Sequence, residues 1–212
     1  GNIVRLTMSR KRISVFPLSG AILFPGMQLP LHIFEPRYRA LVSDSLARDR
    51  FIGMIQPQTE GVRPELFAVG CLGRIGDVEA LEDGRYNIVL EGLQRFTVAR
   101  ELDVSTPFRQ FDAELWEENE EADVLAIAER ASLEQESKRY ADSLGYAVDW
   151  QSVSQLDDYA LVNAIAQIAP FDAASKQALL ESRGLSARTD LIVQLMRFFA
   201  RRDASGDRET LQ

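Results

Sequence analysis

Histidine, cysteine and lysine are the scarce residues that decide which chemistry this sequence can support. The chain has one histidine, His32, and one cysteine, Cys71. A zinc-hydrolase motif with two histidines is therefore excluded, and a serine-histidine-aspartate scheme would need His32 as its base. His32 lies between Leu31 and Ile33, which favours a structural or surface imidazole. A single cysteine excludes an internal disulfide framework, and we expect Cys71 to be a small buried residue.

The sequence also gives little support for a nucleophilic dyad, a nucleotide-binding loop or a pair of acid-base carboxylates. A serine-lysine dyad needs a lysine whose pKa is lowered by burial, but Lys11, Lys138 and Lys176 all lie in polar stretches. No phosphate-binding GxxxxGK[ST] loop occurs. The acidic run at 117–121 is typical of a solvated linker, and we expect Glu35 to cap a helix or to pair with an arginine. The sequence thus predicts no catalytic residue, no cofactor and no metal site.

Charge divides the chain into two parts. Residues 1–111 carry 14 Lys and Arg against 12 Asp and Glu, whereas residues 112–212 carry 10 against 20, and the net charge is −8. Because phosphate backbones repel an acidic protein, nucleic acid is an unlikely partner. No apolar run is long enough to span a bilayer, and the first residues lack the apolar segment of a signal peptide. We therefore expect a cytoplasmic protein with no membrane contact.

The stretch 23–39 holds strand, turn and helix signals without a spacer. Pro25-Gly26 separates two apolar runs, and Pro36 suits the first position of a helix that we expect to end near Arg50. Short strands are predicted on either side of the turn, at 22–24 and 29–34. The segment therefore predicts strand, turn, strand and helix.

The remaining pattern predicts an α+β fold with two parts. Strand-forming segments dominate up to Trp116, and Asp83-Gly84 between two of them predicts a hairpin. After the acidic run the pattern is helical, with apolar positions from Val124 to Tyr140 and a capping box at Ser154-x-x-Asp157. We expect a β-rich domain at 9–116, a bundle of four helices at 117–202 and a disordered tail at 203–212.

Five ordered blocks make the chain resemble the N-terminal domain of Lon ATP-dependent proteases. The blocks, the first in two parts, are Phe16-Pro17-Leu18 with Leu23-Phe24-Pro25-Gly26, then Leu29-Pro30-Leu31-x-Ile33-Phe34-Glu35-Pro36-Arg37-Tyr38, Val69-Gly70-Cys71-Leu72-Gly73-Arg74-Ile75, Asp83-Gly84-x-Tyr86 and Gly92-Leu93-x-Arg95-Phe96. Lys176 to Glu181 resembles the helical portion of that domain. The resemblance covers Ile13 to Arg202. It implies a PUA-like pseudo-barrel with one helix, followed by a helical bundle, in a stand-alone protein without ATPase or Ser-Lys protease modules.

The resemblance further implies a non-catalytic module that binds exposed segments of partly folded polypeptides or a protein partner. Loops such as 56–64 are expected to contribute to the binding surface. The sequence leaves open whether the protein forms a homo-oligomer. The candidate polypeptide-binding residues are Leu29, Leu31, Ile33, Phe34 and Phe67. The residues expected to build the structural motif are Phe24, Pro25, Gly26, Glu35, Pro36, Arg37 and Arg95.

Two other functions remain as alternatives at this point. Because PUA-like barrels can bind RNA, one face could hold the basic residues Arg10, Lys11, Arg12, Arg37, Arg39, Arg74 and Arg95. The net charge argues against this function. A peptidase activity, by analogy with Lon, would require a catalytic constellation that the sequence does not contain.

Overall fold

The computed structural model describes residues 9–210, with the side chains of residues 9–203. The chain divides into two compact units, with the boundary between Glu118 and Asn119. Each unit has its own secondary structure, a sheet in the first and helices in the second. None of the helices among the described residues is both long and apolar enough to cross a membrane.

A six-stranded sheet and one helix form the first unit. The elements are β1 (Arg10–Pro17), β2 (Gln28–Ile33), α1 (Pro36–Leu46), β3 (Phe51–Ile55), β4 (Val69–Ala80), β5 (Tyr86–Glu101) and β6 (Gln110–Leu115). The strand order is β2-β5-β4-β3-β1-β6, and a further pairing of β5 with β6 closes five of the strands into a ring. This closed ring confirms the predicted α+β class with an N-terminal pseudo-barrel. β1 and β3 are parallel, and α1 lies in the connection between them.

β5 is the longest strand because its two parts pair with different strands of the sheet. Its first part pairs with β2, from Tyr86 opposite Ile33 to Glu91 opposite Gln28. Its second part pairs with β6, and β4 pairs with it from Tyr86 to Thr97. The predicted hairpin at Asp83-Gly84 is confirmed, since β4 and β5 are joined there and Gly84 has a φ of 89°.

The turn at 24–27 packs directly on β5. The Met27 amide donates to the Phe24 carbonyl at 3.1 Å, and Gly26 has a φ of 79°, so Pro25 and Gly26 occupy the central positions of a type II turn. The Gly26 amide also donates to the Gly92 carbonyl at 2.9 Å. A Cβ on Gly92 would lie 2.0 Å from the Phe24 oxygen, so only glycine allows this approach. The strand predicted at 22–24 is wrong, because these buried residues form the approach to the turn.

α1 begins as predicted, with Pro36 at its first position. Glu35 is the N-cap residue, but its side chain caps nothing and instead pairs with Arg37 at 3.2 Å. The helix ends at Leu46, four residues earlier than predicted. Arg50 then adopts a φ of 69°, and its guanidinium donates to the carbonyls of Ile75 at 3.0 Å and Gly76 at 2.9 Å.

Two apolar clusters fill the first unit. One joins α1 to the strands through residues such as Leu41, Ile52 and Leu90, and the other contains Ile13, Phe96 and Phe111. Cys71 is fully buried in the first cluster, which confirms its predicted role. Burial raises the pKa of its thiol, so Cys71 stays uncharged and unreactive.

Helices make up the regular structure of the second unit. They are α2 (Ile127–Ser143), α3 (Trp150–Ser154), α4 (Asp158–Ile168), α5 (Ala173–Glu181) and α6 (Leu185–Thr210). The sequence predicted four helices and missed the short α3. α6 continues through most of 203–212, where a disordered tail was predicted; residues 211–212 lie outside the described residues. The predicted capping box is also wrong, because Asp157 itself is the N-cap of α4 and accepts from the Ala160 amide at 2.8 Å.

The buried face of α2 differs from the predicted apolar stripe. Val124 and Ile127, expected inside, are 80% and 91% exposed. The buried side chains are Leu133, Glu136, Ser137, Tyr140 and Ala141. Two of these are polar, so a search for apolar periodicity places the inner face at the wrong angle.

The acidic run at 117–121 is not simply a solvated linker. Glu118 binds the buried Arg95 within the first unit, with Oε1 2.9 Å from Nε and Oε2 3.1 Å from Nη2. Glu120 binds the fully buried Arg188 within the second unit, with 2.9 Å between Oε2 and Nη2. The prediction of a solvated role is wrong for these two residues, because distant arginines bind two of the four glutamates of the run.

Candidate functional site

A cleft of about 290 Å³ lies in the first unit. Its walls come from α1, from the loop after β3 and from the connection between β5 and β6. The lining residues are Pro17, Arg37, Tyr38, Val62, Arg63, Pro64, Glu101, Leu102, Asp103, Val104, Thr106, Pro107, Phe108 and Arg109. The walls are both apolar and charged.

The loop after β3 forms a small hairpin, which we call the strap (residues 57–66). Pro57 and Leu66 are bridged at its base, and the Gln58 amide donates to the Glu65 carbonyl at 2.6 Å. Gly61, with a φ of 113°, allows the chain to reverse at the tip. The strap therefore presents its segment 62–64 to the cleft as a preformed unit.

Two arginines bind main-chain carbonyls of the strap. Arg37 Nη1 donates to the Val62 carbonyl at 3.1 Å, and Arg109 Nη1 donates to the Pro64 carbonyl at 2.6 Å. The two carbonyls are two residues apart, as on one edge of an extended chain. Because carbonyls are common to all residues, this pair of arginines can hold a polypeptide whatever its side chains.

Glu101 is the acidic centre of the cleft. Its carboxylate accepts two bonds from Arg109, with 2.9 Å from Nε to Oε2 and 2.8 Å from Nη2 to Oε1. Arg63 Nη2 of the strap also donates to Oε2, at 2.9 Å. The hydrogen bond from Arg109, with smaller help from Arg63, holds the pKa of Glu101 below its ordinary value. The carboxylate is thus ionised across the physiological pH range.

Tyr38 supplies an amphipathic wall. Its ring centroid lies 4.4 Å from that of Phe16, and the Arg37 guanidinium stands 4.8 Å over the ring. Burial raises the pKa of Tyr38, so the phenol stays neutral and can both donate and accept a hydrogen bond. Within the described residues its hydroxyl group makes no hydrogen bond, which leaves it available to a ligand.

The structure does not gather the five predicted polypeptide-binding residues into one surface. Ile33 is 1% exposed, and Leu29 and Leu31 pack against the same core cluster. Phe67 is half-buried, whereas Phe34 is 60% exposed. Only Phe34 is therefore well placed to contact a partner.

The structural-motif residues have clear positions, and one of them reaches the cleft. Phe24, Pro25 and Gly26 form the turn against β5, and Glu35 and Pro36 begin α1, as described above. Arg95 is 3% exposed and stacks over Trp116 at 4.5 Å in addition to binding Glu118. Arg37 was expected to be structural, but it lines the cleft.

Sequence reasoning missed Arg63, Glu101 and Arg109. These residues lie far apart in the chain, and no local spacing connects them. One signal was available, because the loop at 56–64 was expected to contribute to the binding surface and its last three residues line the cleft.

The basic residues considered for RNA are already engaged in several places. Arg95 is buried, and Arg37 binds Glu35 and the strap. Arg39 donates to the Asp83 carbonyl at 3.0 Å, and Lys11 pairs with Asp49 at 3.6 Å. Burial of Arg95 removes it from any RNA-binding face.

The structure shows the surroundings of Lys176 and His32, two residues considered for catalysis. Lys176 is buried, contrary to expectation, and burial lowers its pKa. Its Nζ donates to the Gln167 carbonyl at 3.0 Å and meets no serine hydroxyl in the described part of the chain. His32 is exposed and hydrogen-bonded to Asn87 at 2.6 Å. Within the same residues no group of three His, Cys, Asp or Glu side chains could hold a metal ion.

Comparison with known proteins identifies the family. Residues 12–197 match the family model of the ATP-dependent protease La (LON) substrate-binding domain. The chain belongs to the Lon substrate-binding domain family. It is 30% identical over 196 residues to Lon protease 2 of Sorangium cellulosum, covering 87% of this chain and 24% of that protein. It is 27% identical over 200 residues to the Lon protease of Escherichia coli strain K12, covering 88% and 25% respectively.

Solved structures of Lon N-terminal domains share the fold. A Lon N-terminal domain protein from Xanthomonas campestris has a TM-score of 0.65 at 20% identity, covering 87% of this chain and 98% of that one. The N-terminal domain of a Mycobacterium avium complex Lon protease has a TM-score of 0.66 at 18% identity, covering 88% and 98%. The chain spans about a quarter of the length of the curated relatives that it matches. What they share with it is the substrate-binding domain.

Proposed function

We propose that this Lon substrate-binding domain holds extended segments of partly folded polypeptides in the cleft, without a chemical step. The observation that carries the proposal is the pair of hydrogen bonds from Arg37 and Arg109 to main-chain carbonyls. A site that grips the backbone accepts many sequences, which is the property that a protein-substrate domain needs. Folded proteins satisfy their own carbonyls and are poor ligands for such a site.

The walls of the cleft support the same function. Pro107 and Val104 offer apolar contacts, and the free Tyr38 hydroxyl can pair with a backbone amide or carbonyl. The volume of about 290 Å³ suits one or two side chains with their backbone rather than a folded element. Phe34 is a further apolar contact outside the cleft. We place the protein in the cytoplasm, where partly folded clients of Lon proteins would be met.

Binding of an unfolded polypeptide to the full chain tests the proposal. Fluorescein-labelled casein, which lacks a stable fold, is titrated with the protein while fluorescence anisotropy is recorded. We expect saturable binding that unlabelled casein displaces and that a native, disulfide-bonded protein such as lysozyme does not. Absence of saturable binding up to the highest soluble protein concentration would show that the domain does not hold unfolded chains.

A further inference from the structure

The strap forms one wall of the cleft and already binds the side chains that would hold an extended client. Its segment Val62-Arg63-Pro64 offers two carbonyls to Arg37 and Arg109, and its central side chain pairs with Glu101. The segment therefore provides backbone acceptors two residues apart with a cation between them. A ligand with the same arrangement of carbonyls and positive charge would make the same contacts.

The tip of the strap is held weakly. Val62 is 84% exposed, and the Arg63 side chain is 71% exposed. Val62 therefore buries little apolar surface, and ion pairs as exposed as that of Arg63 contribute little to stability. Glu101 keeps its two hydrogen bonds from the less exposed Arg109 when Arg63 leaves, so release strands no charge. Segments held in this way belong to the least stable parts of a fold.

We infer that the strap is an internal competitor for the cleft, and that the preferred client is an extended polypeptide segment with an arginine or lysine between apolar residues. This inference rests on the proposed function and specifies its substrate. The client replaces residues 62–64, its carbonyls accept from Arg37 and Arg109, and its cationic side chain takes the place of Arg63 on Glu101. The strap moves aside as a hairpin, because the bonds at its base between residues 57, 58, 65 and 66 do not involve the cleft.

Charge complementarity favours a cationic side chain in the place of Arg63. Glu101 keeps a carboxylate oxygen that accepts from a strap cation as well as from Arg109. Asp103 lines the same cleft. An acidic side chain in the place of Arg63 would face the carboxylate of Glu101 and would bind less tightly.

Matched peptides test the preference. Fluorescein-labelled Gly-Leu-Val-Arg-Pro-Leu-Gly and its Gln and Glu counterparts at the central position are titrated with the full chain. We expect the Arg peptide to bind about threefold more tightly than the Gln peptide, the size of one exposed ion pair, and the Glu peptide to bind least. In Glu101→Gln the ratio of Arg to Gln affinities falls to about one. The control Asp112→Asn, which removes a carboxylate paired with Arg100 elsewhere on the sheet, keeps the ratio.

A second variant tests the competition. Arg63→Gln removes the cation of the strap and leaves every other cleft residue in place, so the affinity of all three peptides should rise by about threefold while their order is kept. Arg48→Gln is the matched control, because Arg48 is 68% exposed and also pairs with one carboxylate, that of Asp44. Arg48→Gln should leave the affinities of all three peptides unchanged. Thermal melting confirms that each variant is folded.

The outcomes separate the two proposals. If casein binds but the Arg and Gln peptides bind equally, or Arg63→Gln leaves their affinities unchanged, the strap is not a competitor and the inference is overturned while the proposed function stands. If neither casein nor any peptide binds, the proposed function itself fails. A rise in affinity with Arg63→Gln together with loss of the ratio in Glu101→Gln supports the inference.

Discussion

Glu118 and Glu120 show how two residues of one acidic run serve two units. Both carboxylates are largely withdrawn from water, with exposed side-chain fractions of 15% and 8%. Charges lose hydration energy when they are buried, so each must be matched by an opposite charge with good geometry. Arg95 and Arg188 provide this match, each within its own unit. The run therefore anchors the chain on both sides of Asn119.

Removal of one partner should destabilise the first unit strongly. In Glu118→Gln the guanidinium of Arg95 stays buried without a counter-charge, and we expect a loss of about 3 kcal/mol in the free energy of unfolding. Urea denaturation followed by tryptophan fluorescence measures this, since Trp116 stacks on Arg95. Asp112→Asn is the control, because its partner Arg100 is 71% exposed, and it should cost no more than about 0.5 kcal/mol. Equal losses in the two variants would contradict the account.

Asp158 should make the second unit sensitive to acid. Its carboxylate accepts from the Leu125 amide at 2.7 Å and from Arg130 at 2.8 Å, and chiefly the first bond lowers its pKa below the ordinary 3.8. Because the folded pKa lies below the unfolded one, the stabilisation is complete above about pH 4 and is lost as pH falls through the folded pKa.

A charge-removing variant tests this sign. Asp158→Asn should be less stable than the wild type at pH 7, and the difference should shrink as the pH is lowered below about 4. Thermal melting between pH 7 and pH 2.5 measures it, with the exposed Asp142→Asn as control. A difference that stays constant over this range would show that Asp158 acts through packing alone.

At the scale of elements, the contact of the 24–27 turn with β5 fixes the start of the sheet. The turn exchanges hydrogen bonds with Gly92 in both directions, since the Gly92 amide donates to the Met27 carbonyl at 2.8 Å. β2 begins at the next residue and pairs with β5 in the register that this contact sets. α1 and its Arg37 follow β2 without a long connection, so the turn helps to position the cleft.

Gly92→Ala should disrupt this contact. The new Cβ would lie 2.0 Å from the Phe24 carbonyl oxygen, and backbone must move, at a cost of at least about 2 kcal/mol. Gly76→Ala is a matched control in the same sheet, because its nearest neighbour is the end of the flexible Glu91 side chain at 2.7 Å. Chemical denaturation compares the two. If Gly76→Ala were as unstable as Gly92→Ala, any alanine in this sheet would be destabilising and the contact with Phe24 would not be the cause.

Local signals explain which elements could be predicted from sequence. Pro36 at a helix start and Asp83-Gly84 in a hairpin act within a few residues, and the structure confirms both. The inner face of α2 could not be predicted, because Glu136 lies inside and pairs with Arg139 and Arg197, the latter on another helix. Packing between helices determines which face of α2 is buried, and the spacing of the apolar residues does not indicate that face.

At the scale of the whole molecule, closure of the ring creates the cleft. Arg37, Arg63, Glu101 and Arg109 meet only because β5 pairs with β6 and the strap folds back from β3. Closure of this kind depends on contacts between distant segments, so the family resemblance could indicate binding but not its location. The likeness of the barrel to PUA domains and the oligomeric state remain predictions.

Filling the cleft with a bulky side chain tests most directly whether the cleft holds unfolded polypeptide. Val104 lines the cleft in a loop, and Val104→Trp places a bulky side chain there. Val148→Trp is the control, in a loop of the second unit where Val148 is 37% exposed. Anisotropy with labelled casein should show binding about tenfold weaker for Val104→Trp, equivalent to ~1.4 kcal/mol, and unchanged for Val148→Trp. Unchanged affinity in a folded Val104→Trp protein would contradict the account.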